Sequence, residues 1–139
     1  MLGSGAMTNS IEDVTRRADA IMLVGSNPEE AHPVIGMQIR AAVERGCRLI
    51  VVDPRDSGLA AQADIHLKLR PGTNVAFANG VVDYLIQNDL YDEDFVRERT
   101  EGSAILAATV RDCTPARVEE VCGTDRRAPV QAARMYDAA

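Results

Sequence analysis

Three short turns carry the polar residues of this chain that could bind a small molecule. They read GSNPEEAHP (25–33), DPRDS (53–57) and RPGTN (70–74), and each combines small or turn-forming residues with polar side chains. The sequence shows no nucleophile beside a base, no carboxylate pair at a useful spacing and no metal-ligand cluster. Its two histidines and three widely separated cysteines, without a CxxC motif, predict no metal site. The pattern therefore favours ligand binding over catalysis by these residues.

Individual side chains in the three turns suggest contacts with a nucleotide. Gly25 lets the backbone approach a ligand closely, while Ser26 and Asn27 offer a hydroxyl and an amide to a phosphate or sugar. Asp53 follows an apolar run and could accept hydrogen bonds from a ribose hydroxyl pair or from the two adjacent donors of a guanine edge. Arg55 suits a phosphate or a stacked base, and Asn74 can cap a helix and contact a ligand.

Structural roles for the same turns stay open at this level. Asp53–Pro54 and Asn27–Pro28 are both typical turn formers. His32 could cap a helix or fill space, and at least one of Glu29 and Glu30 is expected to be solvated. His66 is expected at the surface. Cys47, Cys113 and Cys122 are expected in the core.

Composition and charge narrow the class of protein. The 139 residues suffice for one domain, and 46% hydrophobic with 26% charged residues is typical of a globular chain. The net charge of -6 argues against a nucleic-acid or anionic-membrane surface. No apolar run reaches the roughly 18 residues of a membrane span, and the first ten residues do not form a signal peptide. Reduced cysteines and a cytoplasmic location are expected.

Hydrophobic periodicity predicts the elements that position the turns. Buried strands are expected at 20–25 and 48–54, and an alternating strand at 63–70. Helices and a short helical loop are expected between them. The helices are a first one from Thr8 or Ser10 to Arg17, a second from Pro33 to about Arg45, the short one within 56–63, and a fourth from Thr73 or Asn74 to Ile86.

The order of these elements predicts an α/β fold with a Rossmann-like parallel sheet. Residues 1–139 form a single domain, with a right-handed βαβ core at 1–90 and a C-terminal annex of short helices at 91–139. Ligands of such sheets bind beyond the carboxyl ends of the strands. The three turns all follow strands, so they are expected to converge on one crevice. The absence of GxGxxG argues against the usual NAD or FAD mode of binding.

The ordered motifs of the chain resemble a known family. The sequence is similar to the catalytic alpha subunits of molybdopterin-dependent formate dehydrogenases, within the dimethyl-sulfoxide-reductase family, over essentially its whole length. The motifs are GAMTNSIEDV, GSNPEEAHPV, VDPR, RPGTNVAFANG, LYDEDFVRERTEG, CTPARVEEVCG and QAARMY. The resemblance implies a three-layer αβα domain that holds the guanosine diphosphate part of one molybdopterin guanine dinucleotide.

The resemblance also assigns roles to residues of the turns. It implies that Gly25, Asn27 and Glu30 lie along the ribose and phosphates. Val52, Asp53 and Arg55 would surround the nucleoside, and Gly72 and Asn74 would close the guanine end. Many relatives outside the formate group have Asp where this chain has Asn74, so the asparagine favours formate over nitrate or sulfoxide.

The resemblance further implies that this chain is part of a larger enzyme. Such enzymes hold molybdenum or tungsten between two dinucleotides, oxidise formate to CO₂ and pass electrons to a 4Fe-4S cluster. The metal ligand, the cluster cysteines and the last cofactor domain would lie outside these residues. The chain is therefore expected to be an inactive fragment that needs the remaining domains and electron-transfer subunits, and that self-associates alone. The alternatives are a free-standing nucleotide-binding or regulatory module and a structural domain that binds nothing.

Overall fold

The computed structural model describes residues 9–138, so Thr8 lies outside the described residues. The chain forms eight helices and three strands within this range, together with a 3₁₀ turn at Ala60–Gln62. The strands are β1 (Ala20–Val24), β2 (Arg48–Val52) and β3 (Ile65–Leu67). The helices are α1 (Ile11–Arg17), α2 (Pro28–Ala31), α3 (Pro33–Glu44), α4 (Asn74–Gln87), α5 (Glu93–Arg99), α6 (Ser103–Val110), α7 (Pro115–Cys122) and α8 (Arg127–Asp137).

The three strands form one parallel sheet in the order β1-β2-β3. In this register Leu23 lies opposite Val51, and Val52 lies opposite Leu67. The parallel sheet and its flanking helices confirm the predicted α/β class. All three strands consequently end at the same edge, which we call the carboxyl edge.

The alternating side chains of β2 divide the hydrophobic core into two layers. Leu49 and Val51 pack with residues of α3 and the 3₁₀ turn on one face of the sheet. Ile50 and Val52 pack on the other face with residues of α4, α7 and α8. All four side chains are buried. Helices therefore cover both faces of the sheet, which produces three layers.

The C-terminal helices α7 and α8 contribute to the second core layer. Val118 and Ala132, one from each helix, are buried against the same cluster as Phe77 of α4. The approach of α7 to α4 depends on Gly80, because a Cβ atom there would overlap Val118 Cγ2. By contrast, α5 has no buried residue. The helices after residue 91 thus differ in how much they contribute to the core.

Side chains cap three of the helices. Ser10 forms a capping box with Asp13 at the start of α1. The side chains of Asp92 and Thr114 accept hydrogen bonds from backbone N–H groups in the first turns of α5 and α7. At α4 the prediction was wrong in detail, because Asn74 is the first helical residue and Thr73 at the cap position makes no capping bond through its side chain. The Thr73 hydroxyl instead donates to the Arg70 carbonyl at 2.7 Å.

Strand lengths differ from the sequence-based expectation. The alternation over 63–70 predicted a long third strand, but β3 spans only Ile65–Leu67. The chain then leaves the sheet, and the Arg70 N–H donates to the Cys122 carbonyl at 2.8 Å. Leu69 remains buried there, so the alternation reflects burial rather than strand pairing. Within residues 9–138, no helix is both long and apolar enough to cross a membrane.

Candidate functional site

The carboxyl edge brings the three polar turns together. The Gly25 N–H donates to the Val52 carbonyl at 2.8 Å, and the Asp53 N–H donates to the Leu67 carbonyl at 3.1 Å. These bonds extend the pairing of the strands by one residue into the first two turns. The third turn reaches back to the first, because the side-chain amide of Asn74 lies against Gly25. The turns after β1 and β2 and the start of α4 therefore share one region.

Gly25 is required in this region for two separate reasons. Its φ of +60° is a backbone conformation that residues with a side chain rarely adopt. A Cβ atom at this position would also lie 3.0 Å from Nδ2 of Asn74. A side chain here would consequently close the space between the end of β1 and the start of α4.

Asn27 has a buried polar atom that the rest of the chain leaves without a partner. Its Oδ1 is buried and accepts no hydrogen bond among the described residues. Asn27 occupies the cap position of the short helix α2, yet its side chain makes no capping bond there. Buried polar atoms in proteins are nearly always hydrogen-bonded, so an orphaned acceptor needs an explanation. A ligand that donates an O–H or N–H would supply one.

Asp53 and Arg55 form a closed pair at the end of β2. Nε and Nη2 of Arg55 donate to the two carboxylate oxygens of Asp53 at 2.9 and 2.8 Å, and the Arg55 N–H adds a bond of 2.9 Å. The side chain of Asp53 is 5% exposed, while that of Arg55 is 57% exposed. The hydrogen bonds from Arg55 hold the pKa of Asp53 below its ordinary value, although burial acts in the opposite direction. The carboxylate of Asp53 is thus ionised, and both of its oxygens already accept hydrogen bonds from Arg55.

The pair at Asp53 also determines the charge that the site presents. The bond to Asp53 raises the pKa of Arg55, and the charge of Glu30 acts in the same direction. Glu30 itself is exposed at the surface. The guanidinium of Arg55 is therefore a cation within the second turn whose positive charge is partly neutralised by Asp53.

Glu29 has a structural role that the sequence did not indicate. Its carboxylate accepts the Leu59 N–H at 2.8 Å and pairs with Arg40 of α3. A Cβ atom at Gly58 would lie 2.7 Å from the same carboxylate. Glu29 therefore ties the loop after β2 to α2 and α3, which leaves Glu30 as the solvated acid of the two. The partners are 11 to 30 residues away, so no local motif points to them.

His66 is not the surface residue that its place on a polar strand face predicted. Its side chain is only 18% exposed, and Nε2 lies 2.9 Å from the carbonyl oxygen of Asp53. Asp56 and Lys68 form an ion pair at 2.7 Å beside it. This ion pair lowers the pKa of Asp56. His66 consequently braces the turn that carries Asp53 and Arg55.

The other predicted residues occupy different environments. Val52 contributes its side chain to the core, and only its carbonyl oxygen reaches the edge. Ser26 is exposed. Gly72 has a φ of +85°, and no atom lies within 4 Å of the position that a Cβ would occupy. His32 is exposed and joins α2 to α3 through its backbone.

The cysteines and acids of the described residues do not assemble a metal site. No group of three or more potential ligands from His, Cys, Asp and Glu occurs within residues 9–138. Cys122 is buried in the core, as expected, whereas Cys47 and Cys113 are only partly buried. Burial raises the pKa of the Cys47 thiol.

The sequence matches a family model described as molybdopterin oxidoreductase over residues 3–133. The chain belongs to the molybdopterin oxidoreductase family. This match covers nearly all of the chain and includes all three turns. The resemblance that the ordered motifs suggested is therefore confirmed.

Relatives within this family include formate dehydrogenase alpha subunits. The chain is 42% identical over 134 residues to the F420-dependent formate dehydrogenase subunit alpha of Methanocaldococcus jannaschii, which covers 96% of this chain and 20% of that protein. It is 37% identical over 135 residues to formate dehydrogenase H of Escherichia coli, which covers 97% of this chain and 19% of that protein. The chain thus spans about a fifth of the length of these relatives.

A solved structure supports the same relationship. The chain superposes on acetylene hydratase from Pelobacter acetylenicus with a TM-score of 0.79 and 31% identity, over 90% of this chain and 19% of that one. The family is therefore shared by enzymes whose names describe different reactions. The fold of this chain alone does not identify a substrate.

Proposed function

We propose that this chain holds the guanosine diphosphate part of a molybdopterin guanine dinucleotide within a formate-oxidising enzyme. The observation that carries the proposal is the meeting of Gly25, Asn27 and Asn74 at the carboxyl edge, with a buried acceptor on Asn27 that lacks a donor. Family membership supports a molybdopterin cofactor. The guanine nucleotide is the finer part of the proposal, and it is the part that needs a direct test.

The residues at the edge suit a sugar and phosphates once the buried amide of Asn27 turns toward the ligand. The Oδ1 of Asn27 suits a ribose hydroxyl, because an orphaned acceptor needs a donor and a phosphate oxygen is not one. The backbone N–H groups at the start of α4 have no acceptor within the helix and are suited to bind an anion. Gly25 has no side chain, so a ligand can approach the backbone at the end of β1. Ser26 and Gly72 are exposed beside them and extend the same surface.

The guanine base requires one rearrangement of the site. Asp53 can accept the two adjacent donors of guanine only after Arg55 releases its carboxylate. Arg55 is more than half exposed, so it can swing away and bind a phosphate instead. Glu30 is exposed and its charge acts on Arg55, so it would repel phosphates unless Arg55 screens it. We therefore expect Arg55 to exchange Asp53 for the ligand on binding.

The bound cofactor would supply the redox chemistry at its pterin-held metal, which is molybdenum or tungsten. This chain would contribute affinity and orientation at the nucleotide end. The described residues contain no cluster of metal ligands, and the 4Fe-4S cluster of the proposed enzyme would be bound elsewhere. The Methanocaldococcus jannaschii relative is named as an alpha subunit, which supports an assembly with electron-transfer subunits. Formate as substrate rests on the names of these relatives and on Asn74.

Nucleotide titrations of the purified chain test the proposal directly. GDP, ADP and NAD⁺ would each be added up to millimolar concentration while heat and backbone amide shifts are recorded. We expect a preference for GDP, with shifts at Gly25, Asn27 and the first turn of α4. The affinity is expected to be weak, because the rest of the cofactor and its contacts are absent.

Two asparagine variants serve as a matched pair for this titration. Asn27→Ala is expected to weaken GDP binding by about tenfold, since it removes one hydrogen bond worth roughly 1.4 kcal/mol. Asn88→Ala removes an exposed amide at the other end of α4, whose Nδ2 donates to the Tyr84 carbonyl. This control should leave GDP affinity unchanged. Equal affinity for all three nucleotides, or equal loss in both variants, would refute the proposed site.

A further inference from the structure

Both backbone polar groups of Asp53 bond to residues of β3. The Asp53 N–H donates to the Leu67 carbonyl at 3.1 Å, and the Asp53 carbonyl oxygen lies 2.9 Å from Nε2 of His66. Pro54 follows directly, and a residue before proline is largely confined to extended backbone conformations. Asp53 is also buried, so water is a poor alternative partner for its carbonyl. The direction in which the Asp53 side chain leaves the backbone therefore depends on a histidine 13 residues further along the chain.

The contact between His66 and Asp53 identifies which imidazole nitrogen carries a hydrogen. A carbonyl oxygen only accepts hydrogen bonds, so Nε2 must be the donor. In the neutral ring Nδ1 is then unprotonated, whereas in the charged ring Nδ1 gains a hydrogen and Nε2 keeps its own. The bond to Asp53 is thus compatible with both charge states of His66.

Charged groups beside the imidazole lie on the side of Nδ1. The carboxylate of Asp56 is 3.9 Å from Nδ1, which is too far for a direct hydrogen bond. Lys68 pairs with this carboxylate at 2.7 Å, and both partners are more than half exposed. Exposed ion pairs contribute little to stability because water and salt screen them. The mostly buried bond from His66 is therefore expected to hold the Asp53 turn more firmly than the ion pair does.

The register of the sheet brings His66 to this carbonyl. His66 lies opposite Val51 of β2, and Leu67 lies opposite Val52. Paired residues of neighbouring strands direct their side chains to the same face, so His66 shares the face on which Val51 packs with the 3₁₀ turn. A shift of one residue would direct the imidazole to the opposite face, which α4, α7 and α8 cover. The position of the histidine on β3, as well as its residue type, therefore creates the contact.

The proposed movement of Arg55 gives the contact a role in ligand binding. Arg55 donates to both carboxylate oxygens of Asp53 and so orients them. When the guanidinium turns to a phosphate, the carboxylate loses that support. The backbone of Asp53 then sets where the two oxygens point, and this backbone keeps its bonds to Leu67 and His66. A group that is already held in its binding position costs less conformational entropy on binding.

We propose that His66 is a positioning residue for recognition of the guanine base. It acts through the Asp53 carbonyl and keeps the Asp53 carboxylate in place for the two adjacent donors of guanine after Arg55 has moved. The inference rests on the proposed function and deepens it, because it assigns part of the base selectivity to a side chain that does not touch the ligand. It predicts an effect on binding of the base and none on binding of the phosphates.

Two substitutions of His66 separate its hydrogen bond from the space that the ring fills. His66→Gln keeps a donor, because the amide nitrogen of glutamine can take about the place of imidazole Nε2. His66→Leu keeps apolar bulk and removes the donor. Titration calorimetry of the purified chain would compare GDP, guanosine and inorganic pyrophosphate as ligands.

The three ligands are expected to respond differently to these substitutions. His66→Leu should bind GDP and guanosine at least about fivefold more weakly and pyrophosphate within about twofold of the unchanged chain, since one hydrogen bond at the base end is lost. His66→Gln should bind all three within about twofold, because the donor is restored. General destabilisation of the site would weaken pyrophosphate as well, so the pattern separates positioning of the base from support of the fold.

Lys68→Met is the matched control at the end of the same strand. It removes the exposed ion pair with Asp56 and leaves the bond from His66 to Asp53 in place. This variant should bind GDP and guanosine within about twofold of the unchanged chain. Urea unfolding of each variant would show that it is folded under the conditions of the titration.

A spectroscopic measurement on the unchanged chain tests the contact without any substitution. Long-range ¹H–¹⁵N spectra of the His66 ring should show a hydrogen on Nε2 both before and after GDP is added. A ring that loses the Nε2 hydrogen bond when GDP binds would overturn the inference. This result does not depend on whether His66→Leu folds.

The titrations distinguish failure of this inference from failure of the proposed function. If the unchanged chain prefers GDP and His66→Leu binds GDP equally well, only the role of His66 is overturned. Equal weakening of all three ligands, or a loss in His66→Gln or Lys68→Met as large as in His66→Leu, would overturn it too. If the unchanged chain binds no nucleotide, the proposed function fails and this inference fails with it.

Discussion

Two aspartate–arginine pairs in this chain have the same local geometry and different surroundings. Asp53 with Arg55, and Asp125 with Arg127, are each two residues apart, and in both pairs the arginine donates Nε, Nη2 and its backbone N–H to the carboxylate. The side chain of Asp53 is 5% exposed at the end of β2, whereas that of Asp125 is 52% exposed before α8. The pairing motif is therefore local, and the surrounding fold decides what the pair can do.

The environments of the two pairs differ in what lies beside them. Asp53 stands in the turn braced by His66 and next to the turn of Gly25 and Asn27, where we propose that a ligand replaces Arg55. Asp125 only closes the turn before α8. Asp125 and Arg127 thus form a built-in control for experiments on Asp53 and Arg55.

The largest difference is expected for removal of the carboxylates. Asp53→Ala should weaken GDP binding at least about tenfold, and it should lower the unfolding free energy by about 1 kcal/mol, since it removes hydrogen bonds of the turn whose exposed donors on Arg55 can turn to water. Asp125→Ala should leave GDP binding unchanged and should lower the unfolding free energy less, because its carboxylate is half exposed. Titration calorimetry and urea unfolding would measure both. Unfolding of the Asp53 variant, with GDP affinity kept in any folded fraction, would mean that Asp53 only shapes the turn.

A smaller and opposite effect is expected when the arginines are removed. Arg55→Ala frees the Asp53 carboxylate, so guanosine, which has no phosphate, should bind several-fold more tightly. The advantage of GDP over guanosine should shrink, because Arg55 no longer reaches the phosphates. Arg127→Ala should alter neither affinity. If Arg55→Ala weakened guanosine and GDP equally, exchange of Arg55 between Asp53 and the ligand would be excluded.

The pH dependence of the two acids provides a third comparison. Hydrogen bonds from arginine lower the pKa of both carboxyls, and that of Asp125 falls to about 2. A lowered folded-state pKa contributes stability that is present above the unfolded value of about 3.9 and is lost as the pH falls toward the folded value. Carboxyl carbon NMR should therefore show both acids titrating below the ordinary range. In Arg55→Ala the pKa of Asp53 should rise, because the hydrogen bonds that lower it are lost and burial remains, while that of Asp125 should not move.

The smallest effect is expected from Asn74→Asp, which places an acid at the start of α4. A carboxylate there interacts favourably with the helix dipole by about 0.3–1 kcal/mol, so thermal unfolding should change by only a few degrees or less. The start of α8 already tolerates Asp125. Loss of the fold in this variant would show that the Asn74 amide, which lies against Gly25, has an essential structural role.

Sequence patterns predicted the main elements because their causes are local. The apolar run of β2, the capping box of Ser10 and Asp13, and Pro33 at the start of α3 each depend on residues a few positions apart. The pairing of Asp53 with Arg55 is local as well. The extent of β3 was predicted wrongly, because alternation continues through Leu69 although the pairing with β2 ends at Leu67.

Contacts between distant residues had no signal in the sequence. Glu29 accepts from the Leu59 N–H, and His66 lies against the Asp53 carbonyl, at separations of 30 and 13 residues. The residue types alone left open which of the two glutamates is solvated, and they predicted His66 to be a surface residue. Only folding of the loops onto the sheet edge gives these side chains their partners, and no periodicity encodes such partners.

The sequence by itself determined the strand and helix types, the parallel arrangement and the family, because apolar patterns, caps and ordered motifs are properties of the chain order. The tertiary structure alone decided which polar groups of the turns are already bonded and which are not. The carboxylates of Asp53 and Glu29 already pair with arginines, whereas Asn27 Oδ1 has no hydrogen-bond partner among the described residues. Burial removes water as an alternative partner, so the positions of distant atoms decide whether such a group is satisfied.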